Sequence, residues 1–178
     1  MAAYLVLLLA ALSRLLPHAM HGVGLNFTAV GGSLLFFGAR RPRWQAIFAV
    51  LALALTDVYL TTQVYGYAFH VRDYLLTWAW YAAVVLLGHA LLQRVTALRV
   101  VAGIFASATG FFVLSNLMVF AMGSMYPHTA AGLGSCFALA LPFYGNDLVS
   151  TAITAGALFG LPVLAAKLTE VFATQPAA

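Results

Sequence analysis

"VVAGIFASATGFFVLSNLMVFAM", residues 100–122, runs for 23 residues without one charged side chain. A helix needs about 20 apolar residues to cross the hydrocarbon of a bilayer, so this stretch reads as a membrane span. The rest of the chain repeats the pattern. Of the 178 residues 64% are hydrophobic and only 7% are charged, with a mean hydropathy of +1.00. Soluble domains carry about 25% charged residues, and a surface with so few could not keep this chain dispersed in water. The fold class read from the sequence is an all-α membrane protein, one integral membrane domain over residues 1–178.

Apolar runs separated by polar breaks predict six short helices, at approximately 2–16, 23–39, 44–62, 74–92, 100–122 and 148–166. The first apolar run has the length of a signal peptide, but no Lys or Arg precedes it, and such peptides begin with a positive region. It is read as the first span. "AGLGSCFALALP" at 131–142 is too short to cross and is stopped by Pro142, so it reads as a re-entrant or interfacial segment.

Charge sets the orientation. Arg40, Arg41, Arg43, Arg94, Arg99 and Lys167 all fall on one side if there are six spans, against Arg72 beside Asp73 on the other. Basic loops stay cytoplasmic, which predicts an inner-membrane protein with both termini in the cytoplasm. The net charge of +4 therefore orients the chain rather than recruiting nucleic acid. Trp44, Trp78, Trp80 and Tyr81 fall at span boundaries, where amphipathic rings favour the headgroup level, and on that reading they need no functional role. Ala152, Gly156 and Gly160, with Gly103/Ser107 and Ala106/Gly110, form small faces suited to close helix packing, chiefly within this chain. "AVGGS" at 29–33 reads the same way.

The remaining polar residues share the outer side. They include Arg14, His18, His21, Asn26, Asp57, Asn116, His128, Asn146 and Asp147, and only His89 and Glu170 among the histidines and acids break the pattern. Arg14, Asp57 and Asn116 lie within apolar spans, where a charge costs at least about 2.5–3.5 kcal/mol and normally faces the bundle or a wet cavity. Arg14 and Asp57 can offset that cost by pairing. The expected site is an outward recess lined by Arg14, His18, Asn26, Asp57, Asn116 and Asn146, closed over by residues 123–147. His18 and His21 offer two ligands at i, i+3, but no HExxH or CxxC pattern supports a metal, which stays open. The single cysteine, Cys136, reads as a small buried residue. No GxSxG, phosphate loop or sequence-evident pair of carboxylates indicates an enzyme, and no cofactor is expected.

The stretches "ALSRLLPH" (11–18), "NFTAVGGSLLFFG" (26–38), "MYPHTAAGL" (125–133) and "CFALALPFYGND" (136–147), with Thr56-Asp57 and Ser115-Asn116, resemble an uncharacterised bacterial multi-pass membrane-protein family, domain of unknown function 6580. The longer linker at 18–25, Ala29 in place of a proline, and Gly145 and Asp147 depart from that pattern. In size and motif style the family is similar to substrate-binding (S) components of energy-coupling factor transporters. That resemblance implies capture of a small solute such as a vitamin or metal, with a coupling membrane subunit and ATPases as partners. Cobalamin-binding S components can hold a cysteine near the cobalt, which would give Cys136 a role. The alternative is a non-catalytic structural or assembly protein that docks a partner through its small-residue faces.

Overall fold

The computed structural model describes residues 1–15 and 27–173, with side chains to residue 170. The described residues include six α-helices: α1 (Ala2–Ser13), α2 (Val30–Arg40), α3 (Ala46–Tyr59), α4 (Val71–Leu91), α5 (Ala97–Met122) and α6 (Ala130–Ala173). A 3₁₀ turn at Arg43–Gln45 leads into α3, and a wider π turn at Leu60–Val64 follows it. Gly66, at φ 70°, takes the left-handed conformation that ends this stretch, a backbone state costly for residues with a Cβ. Thr96 caps α5 by accepting from the backbone N–H of Arg99, which satisfies one of the orphan donors of a helix start.

Four stretches are long and apolar enough to cross a membrane: Arg43–Val64, Val71–Leu91, Ala97–Met122 and Ala130–Glu170. The chain is therefore a helical protein of membrane character. α1 and α2, with 12 and 11 residues, are each shorter than the range of roughly 17–25 residues that a span needs.

The end of the chain differs from the expectation. The segment at 131–142 is neither re-entrant nor separate from a last helix at 148–166. Both belong to α6, which runs unbroken for 44 residues through Pro142 and Pro162. Each proline forgoes one backbone hydrogen bond. Unwinding in hydrocarbon would strand several unpaired groups, so continuing the helix is the cheaper state. Nor do residues 123–147 close over the bundle as a cover, because from Ala130 onward they form helix that packs along α5.

Contacts along the helices fix their directions. Tyr4 of α1 packs edge-on against Phe37 near the end of α2, and it also reaches Gln45 at the start of α3. In α2 and α6, residue 31 meets 151, 32 meets 155 and 36 meets 159, so the two run parallel. Phe112 of α5 meets Tyr144 of α6 and Phe120 meets His128, which is antiparallel. α1, α3 and α5 thus run one way and α2, α4 and α6 the other. Arg40, Arg41, Arg43, Arg94 and Arg99 gather at one end of the bundle. The described turns at 65–70 and 123–129 lie at the other.

α2 is the axis on which the rest assembles. Its residues Gly32 through Gly38 are all buried, as expected of a helix that is apolar all round. It crosses α4 closely, since a Cβ on Gly38 would stand 1.9 Å from the carbonyl oxygen of Val85, and one on Gly88 would stand 2.3 Å from that of Leu35. Only glycine permits backbones to approach this far. Gly31 and Gly32 seat Thr151, Thr154 and Ala155 of α6 in the same manner, as the "AVGGS" reading expects. Leu5, Leu9, Leu51, Leu55, Leu98 and Ile153 point outward and are exposed, which suits a bundle solvated by lipid.

The small face of α6 behaves differently from the expectation of packing within the chain. Thr151, Ala155 and Phe159 are the buried positions, while Ala152 is exposed and a Cβ on Gly156 or Gly160 would meet nothing. The reason is rotational. One residue along a helix is a turn of about 100°, so packing the 151/155/159 stripe on α2 carries the 152/156/160 stripe off the interface. Gly103 and Ser107 of α5 are buried, as a packing face requires, whereas Ala106 is exposed.

Candidate functional site

Asp57 belongs to the inward stripe Ala46, Ala49, Leu53 and Asp57 of α3, and is 3% exposed. A carboxylate this deep needs full compensation, and it receives it from two helices. Arg14, just past the end of α1, forms an ion pair with Oδ1 of Asp57. Its other terminal nitrogen donates to the carbonyl oxygen of Leu53 at 3.1 Å. Trp78 of α4 donates its indole N–H to Oδ2 of Asp57 at 2.8 Å. The guanidinium also lies 6.0 Å from the centroid of the Tyr81 ring, within the range of a cation–π contact. Breaking such a buried pair from one side costs about 3–5 kcal/mol, because the remaining charge is left stranded.

The α4 residues arrive by helical spacing. Tyr74, Trp78 and Tyr81 recur at i, i+4 and i+7, which places them on one face. Phe69, Tyr74 and Trp78 stack in sequence, with centroids 5.0 Å and 6.1 Å apart. Tyr74 also hydrogen-bonds Thr61 inside the π turn. The turn after Asp57 is thereby tied to the same aromatic face. Trp78 and Tyr81 are thus not boundary anchors without a role, as the sequence pattern implied. Trp44, by contrast, is exposed beside the arginines at the basic end.

Beside this face lies a cavity of about 270 Å³ to which α2 to α6 and the residue just past α1 contribute. Arg14 comes from the end of α1, Gly31 from α2, Asp57 from α3, Trp80 from α4, Ser107 from α5 and Asp147 from α6. A second cavity of about 140 Å³ adjoins it, lined by Asn116 and Tyr144 among others, and both have Phe111 and Asp147 in their walls. The cavities lie at the end of the bundle opposite Arg40, Arg41 and Arg43.

Of the expected site residues, Arg14 and Asp57 share the larger cavity and Asn116 lines the smaller. His18 and Asn26, with His21, lie outside the described residues. Asn146 lines neither cavity, and its neighbour Asp147 stands in both walls. A rotation of one residue on α6 separates the two. Asn116 is partly committed to its own helix, since its Nδ2 donates to the carbonyl oxygen of Phe112 at 2.7 Å. Cys136 is a free thiol, 2% exposed, and it lies 3.6 Å and 3.8 Å from two oxygens of Asn116. It lines neither cavity. That burial fits the plain reading of Cys136 and offers no support for a cobalt ligand. Among the described residues no group of three His, Cys, Asp or Glu is arranged to hold a metal.

The expected site left out Trp78, Trp80 and Tyr81, read as boundary residues, and Asp147, read only as one of the outward polar groups. The signal for Asp147 was present, since it is an acid inside an apolar helix, like Asp57. Taking Pro142 as a terminus hid it in a loop. Asp57 and Asp147, which no spacing brings together, meet on one cavity.

The chain belongs to the Family of unknown function (DUF6580), whose profile matches residues 1–174. No curated protein and no solved structure matches it.

Proposed function

We propose that this family member captures a small solute in the 270 Å³ cavity, as a substrate-binding, S-component-like subunit of an uptake system in the cytoplasmic membrane. The observation that carries the reading is the convergence of α2 to α6 and Arg14 on one cavity walled by a compensated ion pair. A purely structural bundle would close that space with apolar side chains, since voids and buried charges both cost stability. A few polar groups converging on a largely aromatic and apolar hollow is the usual form of a small-ligand site.

Orientation follows from the charges. With Arg40, Arg41, Arg43, Arg94, Arg99 and Lys167 toward the cytoplasm, the cavity end faces outward, where a capture subunit needs it. α1 and α2 then act as short passes, completing six together with the four long helices. A coupling membrane subunit and ATPases are the partners this function requires.

Thermal unfolding of the purified protein across a panel of vitamins, amines, organic acids and metal ions tests the reading. A ligand at 100 times its Kd adds about 2.7 kcal/mol of stability, and Asp57→Ala or Arg14→Ala should remove that gain. No shift from any solute would count against capture.

One observation favours a second reading, an assembly role. Ala152, Gly156 and Gly160 form a small-residue stripe with no packing partner among the described residues, of the kind that lets a foreign helix approach. Co-purification of a fixed partner, lost in Gly156→Leu or Gly160→Leu, would support it. The two roles are compatible, because a capture subunit must also dock.

A further inference from the structure

Resting on the capture reading, we infer that the cavity takes a small organic monocation, a primary amine or quaternary ammonium, whose positive head is met by Asp147 and whose carbon skeleton lies against Tyr74, Trp80 and Phe111.

The argument starts from which charges in the wall are already spent. Among the described residues the larger cavity is lined by one cation, Arg14, and two carboxylates, Asp57 and Asp147. Arg14 is committed to Asp57 and to the Leu53 carbonyl. Both oxygens of Asp57 are engaged, one by Arg14 and one by Trp78. These groups cancel each other, so they serve the site by holding its wall in place rather than by meeting a ligand's charge. Asp147 is different, since its carboxylate makes no hydrogen bond or ion pair among the described residues. Ser150 donates to its backbone carbonyl oxygen, not to its side chain. After internal pairing the described residues of the wall therefore keep one negative charge, on the residue that lines both cavities.

That residue selects by charge. An anion would find Arg14 occupied and Asp147 repelling it. A neutral solute would leave the carboxylate uncompensated in a desolvated site. Calcium or magnesium prefers six or more oxygen ligands, and the described residues of the wall offer one free carboxylate. A singly charged ammonium matches the unpaired charge one for one.

The remaining lining suits the same class. Ring faces attract cations through their quadrupole, most strongly for Trp, and Tyr74, Trp80, Tyr81 and Phe111 all line the cavity. Trp80 is held in place by α5, because a Cβ on Gly110 would come within 2.3 Å of its indole. At about 270 Å³ the space falls at the lower edge of small-molecule pockets, which begin at about 300 Å³.

The test compares choline, with its quaternary nitrogen, against 3,3-dimethyl-1-butanol, its neutral isostere, together with phenethylamine, benzoate and inositol, by calorimetric titration of the full-length protein in detergent. The expected result is at least tenfold tighter binding of choline than of the isostere, and binding of one or both cations but not of benzoate. Asp147→Asn should weaken cation binding at least tenfold, while Asp147→Glu stays within a few-fold of the parent. If Asp147→Asn does not fold, the choline-to-isostere ratio of the unaltered protein decides. Equal affinity for choline and its isostere, binding only of benzoate or inositol, or undiminished cation binding by Asp147→Asn overturns the monocation assignment and leaves capture standing. No binding from this set together with no thermal shift across the broader panel overturns both.

Discussion

Trp78 donates its indole N–H to one oxygen of Asp57 at 2.8 Å, while Arg14 takes the other oxygen from the opposite side. Three helices are thereby joined through one carboxylate. The arrangement fixes both oxygens of Asp57, which also lines the larger cavity.

Removing the parts of this junction should cost stability in a definite order. Asp57→Ala strands the guanidinium of Arg14, and about 3–5 kcal/mol is expected. Trp78→Phe removes one hydrogen bond to a charged acceptor, about 1.5–3 kcal/mol. The double change Arg14→Met with Asp57→Leu should be milder than Asp57→Ala alone, because it leaves no charge behind. Denaturant or thermal unfolding in detergent measures all three. A double variant less stable than Asp57→Ala would refute the junction.

Close approach at α2 makes a second expectation. Gly38→Ala drives a Cβ to 1.9 Å from the carbonyl oxygen of Val85, which is backbone and cannot rotate away. α2 and α4 must separate, at a cost of about 1–3 kcal/mol or more. Gly156→Ala and Gly160→Ala meet open space and should be neutral or slightly stabilising, since alanine is the better helix former by roughly 1 kcal/mol. Melting temperatures of the three variants, prepared alike, decide.

Topology has its own test, which exploits the burial of the native thiol. Cys136, 2% exposed, should resist a membrane-impermeant maleimide in the folded protein. Tyr67→Cys and Met125→Cys, both exposed at the cavity end, should label on intact cells. Leu98→Cys, at the end with Arg94 and Arg99, should label only after the membrane is opened. Labelling of all three from one side would contradict the alternating bundle.

α6 should remain a single helix without its first proline. Pro142→Ala restores the backbone donor and removes a ring clash with the preceding turn. Unchanged or higher thermal stability, with unaltered protection of Cys136, is the expected result. Loss of the fold would show that the proline shapes the packing of α5 on α6.

Much of this was legible one residue at a time. The polar groups inside apolar runs marked Arg14 and Asp57 as partners, because lipid offers a charge no alternative. Helix positions in the middle of the chain followed from hydropathy, and the glycines at 31 and 32 declared a close contact. Trp78 and Tyr81 read as boundary anchors because an aromatic ring near a helix end satisfies a headgroup preference and a contact inside the bundle equally well. Only the stripe Tyr74, Trp78, Tyr81, seen against Asp57, separates the two.

The amino-acid sequence alone determined that lipid is the solvent, that the long apolar stretches are helices, and which end of the bundle carries the basic charges. These are properties of each segment and its immediate surroundings. Tertiary structure alone decided that α6 continues through Pro142, that Asp147 rather than Asn146 lines the cavity, and that Gly156 and Gly160 of α6 face away from the other described helices. Those outcomes depend on the rotation of one helix against another, and a turn of about 100° per residue leaves the choice to packing partners far away in the chain.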